Sequence, residues 1–259
     1  MLLALVDADI VAYRCAASAN NDPVDVAIYR ADDLMRRILH ETNATDYKAF
    51  LTGDNNFRYT IYPEYKANRK GKPKPQHLAA VQEFLITEWK AKVTDGNEAD
   101  DELGIEQTCA NNSEDTQSII CSIDKDLLQI PGKHYNFVKQ EFLTISPMEG
   151  LRRFYGQLIT GDGSDNIPGY DGKIRHSIPK FMDQLLLGLE DFSSPWDLYS
   201  YVLSHYGSSA LSTLHINAKC LYIQRKENDY WEPPGPMHVN EDSLSQPLEQ
   251  QLDDGLLNT

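Results

Sequence analysis

Apolar residues recur along this chain with two different periods. Leu2 to Val6 is a short unbroken apolar run that ends at Asp7, as expected for a strand buried on both faces of a parallel sheet. Between Asp25 and Glu41, Val26, Ile28, Leu34, Met35, Ile38 and Leu39 fall at roughly helical spacing. Tyr47 to Leu51 predicts a second strand that ends near Gly53 and Asp54. Residues 76–92 carry Leu78, Val81, Leu85, Ile86 and Trp89 as a helical stripe, and Glu98 to Ala110 predicts another helix, capped by Asp95 or Asn97. Ser118 to Ile123 predicts a third strand, ending at Asp124. Such alternation implies an α/β fold with a mostly parallel central sheet flanked by helices. Beyond residue 150 the pattern turns mainly helical, over Leu151 to Leu158, Lys180 to Leu189, Trp196 to His205 and Leu211 to Arg225. From Lys226 the chain is aperiodic, which predicts an extended strap or a partly disordered tail.

Open α/β sheets place their sites beyond the carboxyl ends of the strands. Acids gather at those ends here: V-D-A-D (Asp7, Asp9), T-G-D (Asp54), N-E-A-D-D (Glu98, Asp100, Asp101), S-I-D-K-D (Asp124, Asp126) and G-D-G-S-D-N (Asp162, Asp165). Each cluster has an ordinary explanation. Acids in a helix's first turn complement its dipole, which would account for Glu98 to Asp101. Asp, Gly, Ser and Asn form turns, which would account for Asp162 to Asn166. Asp7 and Asp9, two apart, would share a face if both lay in a strand. Glu98 and Asp100 lie about 160° apart on a helical wheel, so they can face one centre only if the helix begins near Asp100. All five clusters together are another matter. Carboxylates repel, and a fold that gathers them calls for hard divalent cations.

Charge refines the picture. The balance of 39 acids against 24 bases, net −15, weighs against nucleic-acid binding by the molecule as a whole. Yet Lys66, Arg69, Lys70, Lys72 and Lys74 fall within nine residues that hold no acid, and the local field governs a binding face. Tyr59, Tyr62 and Tyr65 stand among or beside these bases, a mixture suited to single strands through phosphate pairing and base stacking. The four cysteines (Cys15, Cys109, Cys121, Cys220) show no C-x-x-C pair and no zinc-like spacing, so reduced thiols and a cytoplasmic location are expected. The apolar N-terminus carries two acids and no basic region, so it predicts a strand rather than a signal peptide, and no membrane span is expected.

The wording and order of the motifs resemble the 5′-nuclease superfamily: flap endonucleases, phage 5′→3′ exonucleases and the nuclease domain of bacterial DNA polymerase I. The resemblance rests on V-D-A-D, F-R-Y-T-I-Y-P-E-Y-K-A-N-R (57–69), E-A-D-D (98–101), S-I-D-K-D-L-L-Q (122–129) and G-D-G-S-D-N-I-P-G (161–169), and spans roughly residues 2–190. It implies a PIN-like nuclease core over 1–160, with a helical arch, or the base of one, in the 57–76 region. It further implies a helix–hairpin–helix-like duplex-binding region over 161–225, followed by a tail over 226–259. By the same resemblance Asp7, Asp54, Glu98 and Asp100 would hold one Mg²⁺, with Asp101 close by. Asp124, Asp126 and Asp162 would hold a second, with Asp165 in its outer shell, and Mn²⁺ would substitute. Lys66 and Arg69 would serve catalysis at the scissile phosphate. Arg58, Tyr65, Lys70, Lys72, Lys173, Arg175 and Lys180 would contact DNA. The run Gly172-Lys173-Ile174-Arg175 departs from the hairpin pattern of the family, which weighs against a bound K⁺ there. The implied function is 5′→3′ exonuclease and 5′-flap endonuclease activity on DNA, and on the RNA strand of RNA–DNA hybrids, by a monomer. The rival readings are a PIN-type ribonuclease, a non-catalytic DNA-structure-binding protein and a divalent-ion buffer.

Overall fold

A computed structural model describes residues 1–236 of the chain. The apolar run at the N-terminus forms β1 (Leu2–Asp7), followed directly by α1 (Ala8–Ser18) and α2 (Val24–Thr42). Next come β2 (Asp46–Leu51), the single-turn helix α3 (Arg58–Ile61), α4 (Leu78–Thr87), the short strand β3 (Lys92–Val93), α5 (Ala99–Asn111) and β4 (Gln117–Cys121). β5 (Gly132–Asn136) and β6 (Glu141–Ile145) form a hairpin. These six strands make one sheet in the order β3-β2-β1-β4-β5-β6, parallel throughout except for β6.

The alternation of side chains across the sheet explains why the strands read as continuous apolar runs. Ala4, Val6, Ala49, Leu51, Ile119 and Cys121 pack on the face covered by α1, α2 and α4. Leu3, Leu5, Phe50 and Ile120 face the other way, onto Ala99 and Leu103 of α5. Both faces are dry, as a parallel sheet requires. On the second face Gly104 lets α5 approach the C-terminal segment closely, since a Cβ there would stand 2.4 Å from the Gln224 carbonyl.

The remaining elements are α6 (Pro147–Thr160), the two-stranded β7 (Gly161–Asp162) and β8 (Ile167–Pro168), then α7 (Asp183–Leu187), α8 (Pro195–Tyr206) and α9 (Leu211–Leu221). Phe154, Tyr155, Leu158 and Ile159 of α6 share a core with Leu198 and Val202 of α8 and Leu214 and Ala218 of α9. α6, which the expected division assigns to residues 1–160, therefore packs with the helices after it. The tail expected from residue 226 lies beyond the described residues after Pro236. Its first part places a buried Trp231 against Phe154, Tyr199 and His215.

Several expectations need correction. Asp7 and Asp9 do not share a strand face: Asp7 ends β1 and caps α1, its carboxylate accepting from the Ile10 amide, and Asp9 lies in that helix's first turn. α5 is capped by Glu98, not by Asp95 or Asn97, in a reciprocal box with Asp101. The 57–76 region forms no helical arch. It holds only α3 and a turn of 3₁₀ helix at Ala67–Arg69.

Arg58 belongs to the interior rather than to a nucleic-acid surface. It is 2% exposed, and its guanidinium donates to both oxygens of Asp101 (2.6 and 2.9 Å) and to the carbonyls of Cys220 and Tyr222 (each 2.8 Å). Asp101 is fully buried and also accepts from the backbone amides of Glu98 (3.0 Å) and Gln224 (3.0 Å), so neither of its oxygens is free for a metal. Breaking such a pair leaves an uncompensated buried charge, which costs about 3–5 kcal/mol. Asp101→Ala should therefore lower stability by about that much in urea unfolding. The double variant Arg58→Met/Asp101→Leu should be clearly more stable than Asp101→Ala. Equal losses in the two would show that the ion pair is not what holds α5 to the end of α9.

Candidate metal centre

The carboxyl ends of β1 and β4, the N-termini of α1 and α5, and the Gly161–Asn166 loop surround one cavity of about 230 Å³. Eight carboxylates line it: Asp7, Asp9, Glu98, Asp100, Asp124, Asp126, Asp162 and Asp165. Lys66, Arg69 and Lys125 are the cations of its wall.

Local structure aims each group. Ser122, just past β4, donates to Asp7 (2.6 Å) and accepts from the Asp124 amide (2.9 Å), so one hydroxyl sets two acids. Asp124 accepts from the amide of Asp126 (2.9 Å), and Asp126 accepts from Gln157 of α6 (2.6 Å). Asp162 accepts from the amides of Ser164 (2.6 Å) and Asp165 (3.1 Å), closing the tight loop after β7. Gly161 makes that loop possible, because its φ of +72° and its approach to the backbone of residues 167–169 exclude a side chain. Glu98, as a cap, has extended dihedrals (φ −89°, ψ 164°), so the helical-wheel conflict with Asp100 does not arise and both line the cavity.

Lys66 is the central cation. It takes a left-handed backbone conformation (φ 54°), and its ammonium pairs with Glu98 and stands 3.8 Å from Asp165. Arg69 meets the same Asp165 oxygen, donating to it (2.6 Å) and to the Ser164 carbonyl (3.0 Å). Tyr65, expected to stack on bases, is 1% exposed, and its hydroxyl lies 2.9 Å from Glu98 and 2.8 Å from Asp165. It is a strut beneath the acids. Asp54 is exposed on the turn after β2 and does not line the cavity. Asp9, outside the ligand set that the resemblance implies, does line it, and accepts from the Thr52 amide (3.0 Å).

The electrostatics report crowding. Burial, with Asp9 and Asp124 nearby, raises Asp7 to about 7 despite its bond from Ser122. Burial and then the charges of Asp124 and Asp162 raise Asp126 to about 8. Asp100 is pushed well above the usual carboxylate range by burial, Asp7 and Asp124, and burial also raises Asp9 and Asp165. For Glu98, burial pushes upward, but Lys66 and Arg58 outweigh it and hold its carboxyl below the usual range. Among the described residues no three of these acids are already drawn together as direct ligands of one ion. The donor set nonetheless fits a hard divalent cation: all oxygen, more acids than cations, and space for an ion that keeps several waters.

A groove of about 460 Å³ adjoins the cavity and shares Asp126 and Asp162 with it. Arg152, Arg153, Arg175 and His176 line it together with Glu149 and Glu190, and Arg152 is paired with Glu190 (2.7 Å). Arg175 is paired with Asp171, whereas Lys173 and Lys180, on the same stretch of chain, are exposed. Lys70 and Lys72 are exposed beside Arg69. No described helix is long and apolar enough to cross a membrane.

Residues 2–155 match the family model described as 5′-3′ exonuclease, N-terminal resolvase-like domain. The chain is 28% identical to a 5′-3′ exonuclease of Buchnera aphidicola over 219 residues, 76% of this chain and 73% of that one. It is 28% identical to flap endonuclease Xni of Vibrio parahaemolyticus, over 75% of this chain and 79% of that one. Among solved structures it resembles the 5′-exonuclease of phage T5 with bound zinc, at TM-score 0.64 and 17% identity, over 85% of this chain and 89% of that one. It also matches DNA polymerase I of Thermus caldophilus, of which it spans 22%.

The raised acids make a pH prediction. Asp7 and Asp126 start from an ordinary value of 3.8, so between that value and about 7 to 8 the folded chain keeps protons that the unfolded chain has released. Their contribution to stability is thus fully present at low pH and is lost as pH rises through that window. Thermal melts of metal-free protein should show this loss, and Mg²⁺ should offset it at the upper end. Asp126→Asn should flatten the slope and raise metal-free stability near pH 8. An unchanged slope would mean that crowding at this cavity does not govern it.

Proposed function

Because this chain belongs to the 5′-3′ exonuclease family and is a nuclease, we propose that it hydrolyses DNA phosphodiesters at 5′ ends and 5′-flap junctions, using two Mg²⁺ ions held in the acidic cavity. The observation that carries this reading is the convergence of eight carboxylates with Lys66 and Arg69 on a single cavity. A PIN-type ribonuclease would lack both the Y-K-A-N-R segment and the Gly161–Gly169 loop, which here bind each other across the cavity edge. A mere ion buffer would have no use for cations at the rim.

Asp7, Glu98 and Asp100 form one proposed ligand group, with Asp9 beside them, and Asp124, Asp126 and Asp162 form the other, with Asp165 in an outer position. Asp54 and Asp101 stand outside this set. Bound divalent ions would supply a water of lowered pKa and stabilise the leaving oxygen. Ser122 and Gln157 orient Asp7, Asp124 and Asp126 through the bonds described above, so the ligands need little rearrangement. Lys66 and Arg69 then meet the negative charge that grows on the scissile phosphate. The groove lined by Arg152 and Arg153, with Lys173 and Lys180 nearby, takes duplex phosphates. Hydrolysis of this kind makes no use of the 2′ position, so the reading extends, as the resemblance implies, to the RNA strand of a hybrid. Such work belongs in the cytoplasm, where free thiols such as Cys109 persist.

A panel of single-stranded, blunt, nicked, 5′-flapped and hybrid substrates, with and without Mg²⁺, tests the reading. Metal-dependent release from the 5′ end is expected, and its absence on every substrate would overturn the assignment. Asp124→Ala should abolish cleavage and leave the fold intact by circular dichroism. Lys66→Ala should lower turnover about 10²–10³-fold, as for loss of a donor to developing charge. Lys173→Ala and Lys180→Ala should instead weaken duplex binding, each reducing the log–log salt slope by about 0.9. Unchanged slopes would remove those two lysines from the interface.

A further inference from the structure

We infer that the exposed face of α1 beyond the acidic cavity seats the first nucleotides of a 5′ single strand, with Tyr13 as a stacking platform and Arg14 as a phosphate contact. This rests on the nuclease reading and adds residues that no motif of the chain singles out.

The argument begins with helix geometry. Asp9 and Ile10, in the first turns of α1, line the cavity. A helix advances about 100° and 1.5 Å per residue. Tyr13 therefore lies about 40° round from Asp9 and about 6 Å further along the axis, and Arg14 stands in the same relation to Ile10. The face that enters the cavity is the face that carries this pair out of it. Tyr13 is 54% exposed, and Arg14 is exposed beside it.

A second element runs from the same cavity to the far end of the same helix. Residues 66–77 start at the rim, where the Lys66 amide donates to the Asp165 carbonyl (2.9 Å) and Arg69 binds Ser164. They end just past α1, where the Gln76 amide donates to Asn20 (2.8 Å) and the His77 ring meets the Asp22 carbonyl (2.8 Å). Between these anchors Lys70, Lys72 and Lys74 are exposed. A strand leaving the cavity along α1 thus meets a ring and a guanidinium on the helix, and ammonium groups on the segment that runs from the cavity rim to the helix's far end.

An exposed tyrosine is ordinary in itself. Tyr29 of α2 is 69% exposed and carries no such implication. Continuity with the cavity sets Tyr13 apart, and the neighbouring charge selects the occupant. Lysines in a row disfavour an apolar protein partner and favour phosphates. A lone aromatic face favours unpaired bases, whose rings are free to stack, over a duplex.

The test uses the full chain, with Ca²⁺ replacing Mg²⁺, and a duplex whose short 5′ extension carries 2-aminopurine. Wild type should change the probe's fluorescence on binding. Tyr13→Ala should lose that change and about tenfold in affinity for the extended duplex, the range of one lost base stack. Tyr13→Phe should keep both. Arg14→Ala should reduce the salt slope by about 0.7, as for one single-strand phosphate, and Tyr29→Ala should match wild type. If Tyr13→Ala binds and reports like wild type, or if Tyr29→Ala loses as much, the inference is wrong. If wild type binds no duplex, extended or blunt, the nuclease reading fails first and takes this inference with it.

Discussion

The buried pair of Arg58 and Asp101 is the interaction on which the rest of the site depends. It joins three parts of the chain that are distant in sequence: the single turn after β2, the start of α5, and the backbone that leaves α9. A buried ion pair contributes little net stability unless all its donors and acceptors are satisfied. Here the guanidinium meets two carboxylate oxygens and two carbonyls, while Asp101 also accepts two amides. One consequence is that Asp101 binds the Glu98 amide, which leaves Glu98 as a non-helical cap. Its carboxylate then faces the same cavity as Asp100. Another is that the segment after Arg58 starts from a fixed point, only a few residues before Lys66.

That fixed point matters because of what surrounds Lys66. Eight carboxylates around one cavity would repel one another strongly in a dry site. The ammonium of Lys66 sits among them, paired to Glu98 and near Asp165, while Tyr65 braces the same two acids from below. The side chain proposed to meet charge on the scissile phosphate thus also relieves the metal-free protein. Burial would lower the pKa of this lysine, but Glu98 and Asp165 raise it above its ordinary value, so it stays charged. The raised values at Asp7, Asp100 and Asp126 show that one lysine is not enough. Asp7, Asp100 and Asp126 line the same cavity, and divalent cations would balance them.

The sequence made the framework readable where physics acts locally. Strands β1, β2 and β4 are runs of apolar residues, and the stripe of α4 is periodic, so both emerged from spacing alone. The acids of the cavity were legible because they close those strands and stand in turns of recognisable composition. The short β3 and the β5–β6 hairpin were missed. β3 has two residues, and the outer strand β6 is exposed over four of its five positions, so neither carries a burial pattern. The errors at the site share a cause. Arg58, Tyr65 and Asp101 looked like surface or ligand residues because charge and aromaticity in sequence do not reveal burial. Only tertiary contacts turn them inward: Arg58 and Asp101 meet the backbone of Cys220, Tyr222 and Gln224, more than a hundred residues away, and Tyr65 meets Glu98 and Asp165. Ser122 and Gln157 gave no signal at all, because hydroxyl and amide groups that orient acids have no spacing rule.

The absence of an arch in this chain has a physical reading as well. Fewer than twenty residues separate α3 from α4, and they are tied down at both ends and across the middle. Asn68 and Arg69 bind the Gly163 and Ser164 carbonyls, Asn166 reaches the Glu64 carbonyl, and Gln76 and His77 hold residues 20 and 22. Each tie removes conformational freedom before any substrate arrives, so less entropy is lost when a strand binds. The most crowded ties lie at Lys66 and Arg69, the two residues proposed to act at the scissile phosphate, where positional error would be most harmful. The three lysines between the anchors lie exposed, away from these ties. Precision at the rim and latitude beyond it follow from where this segment is fastened.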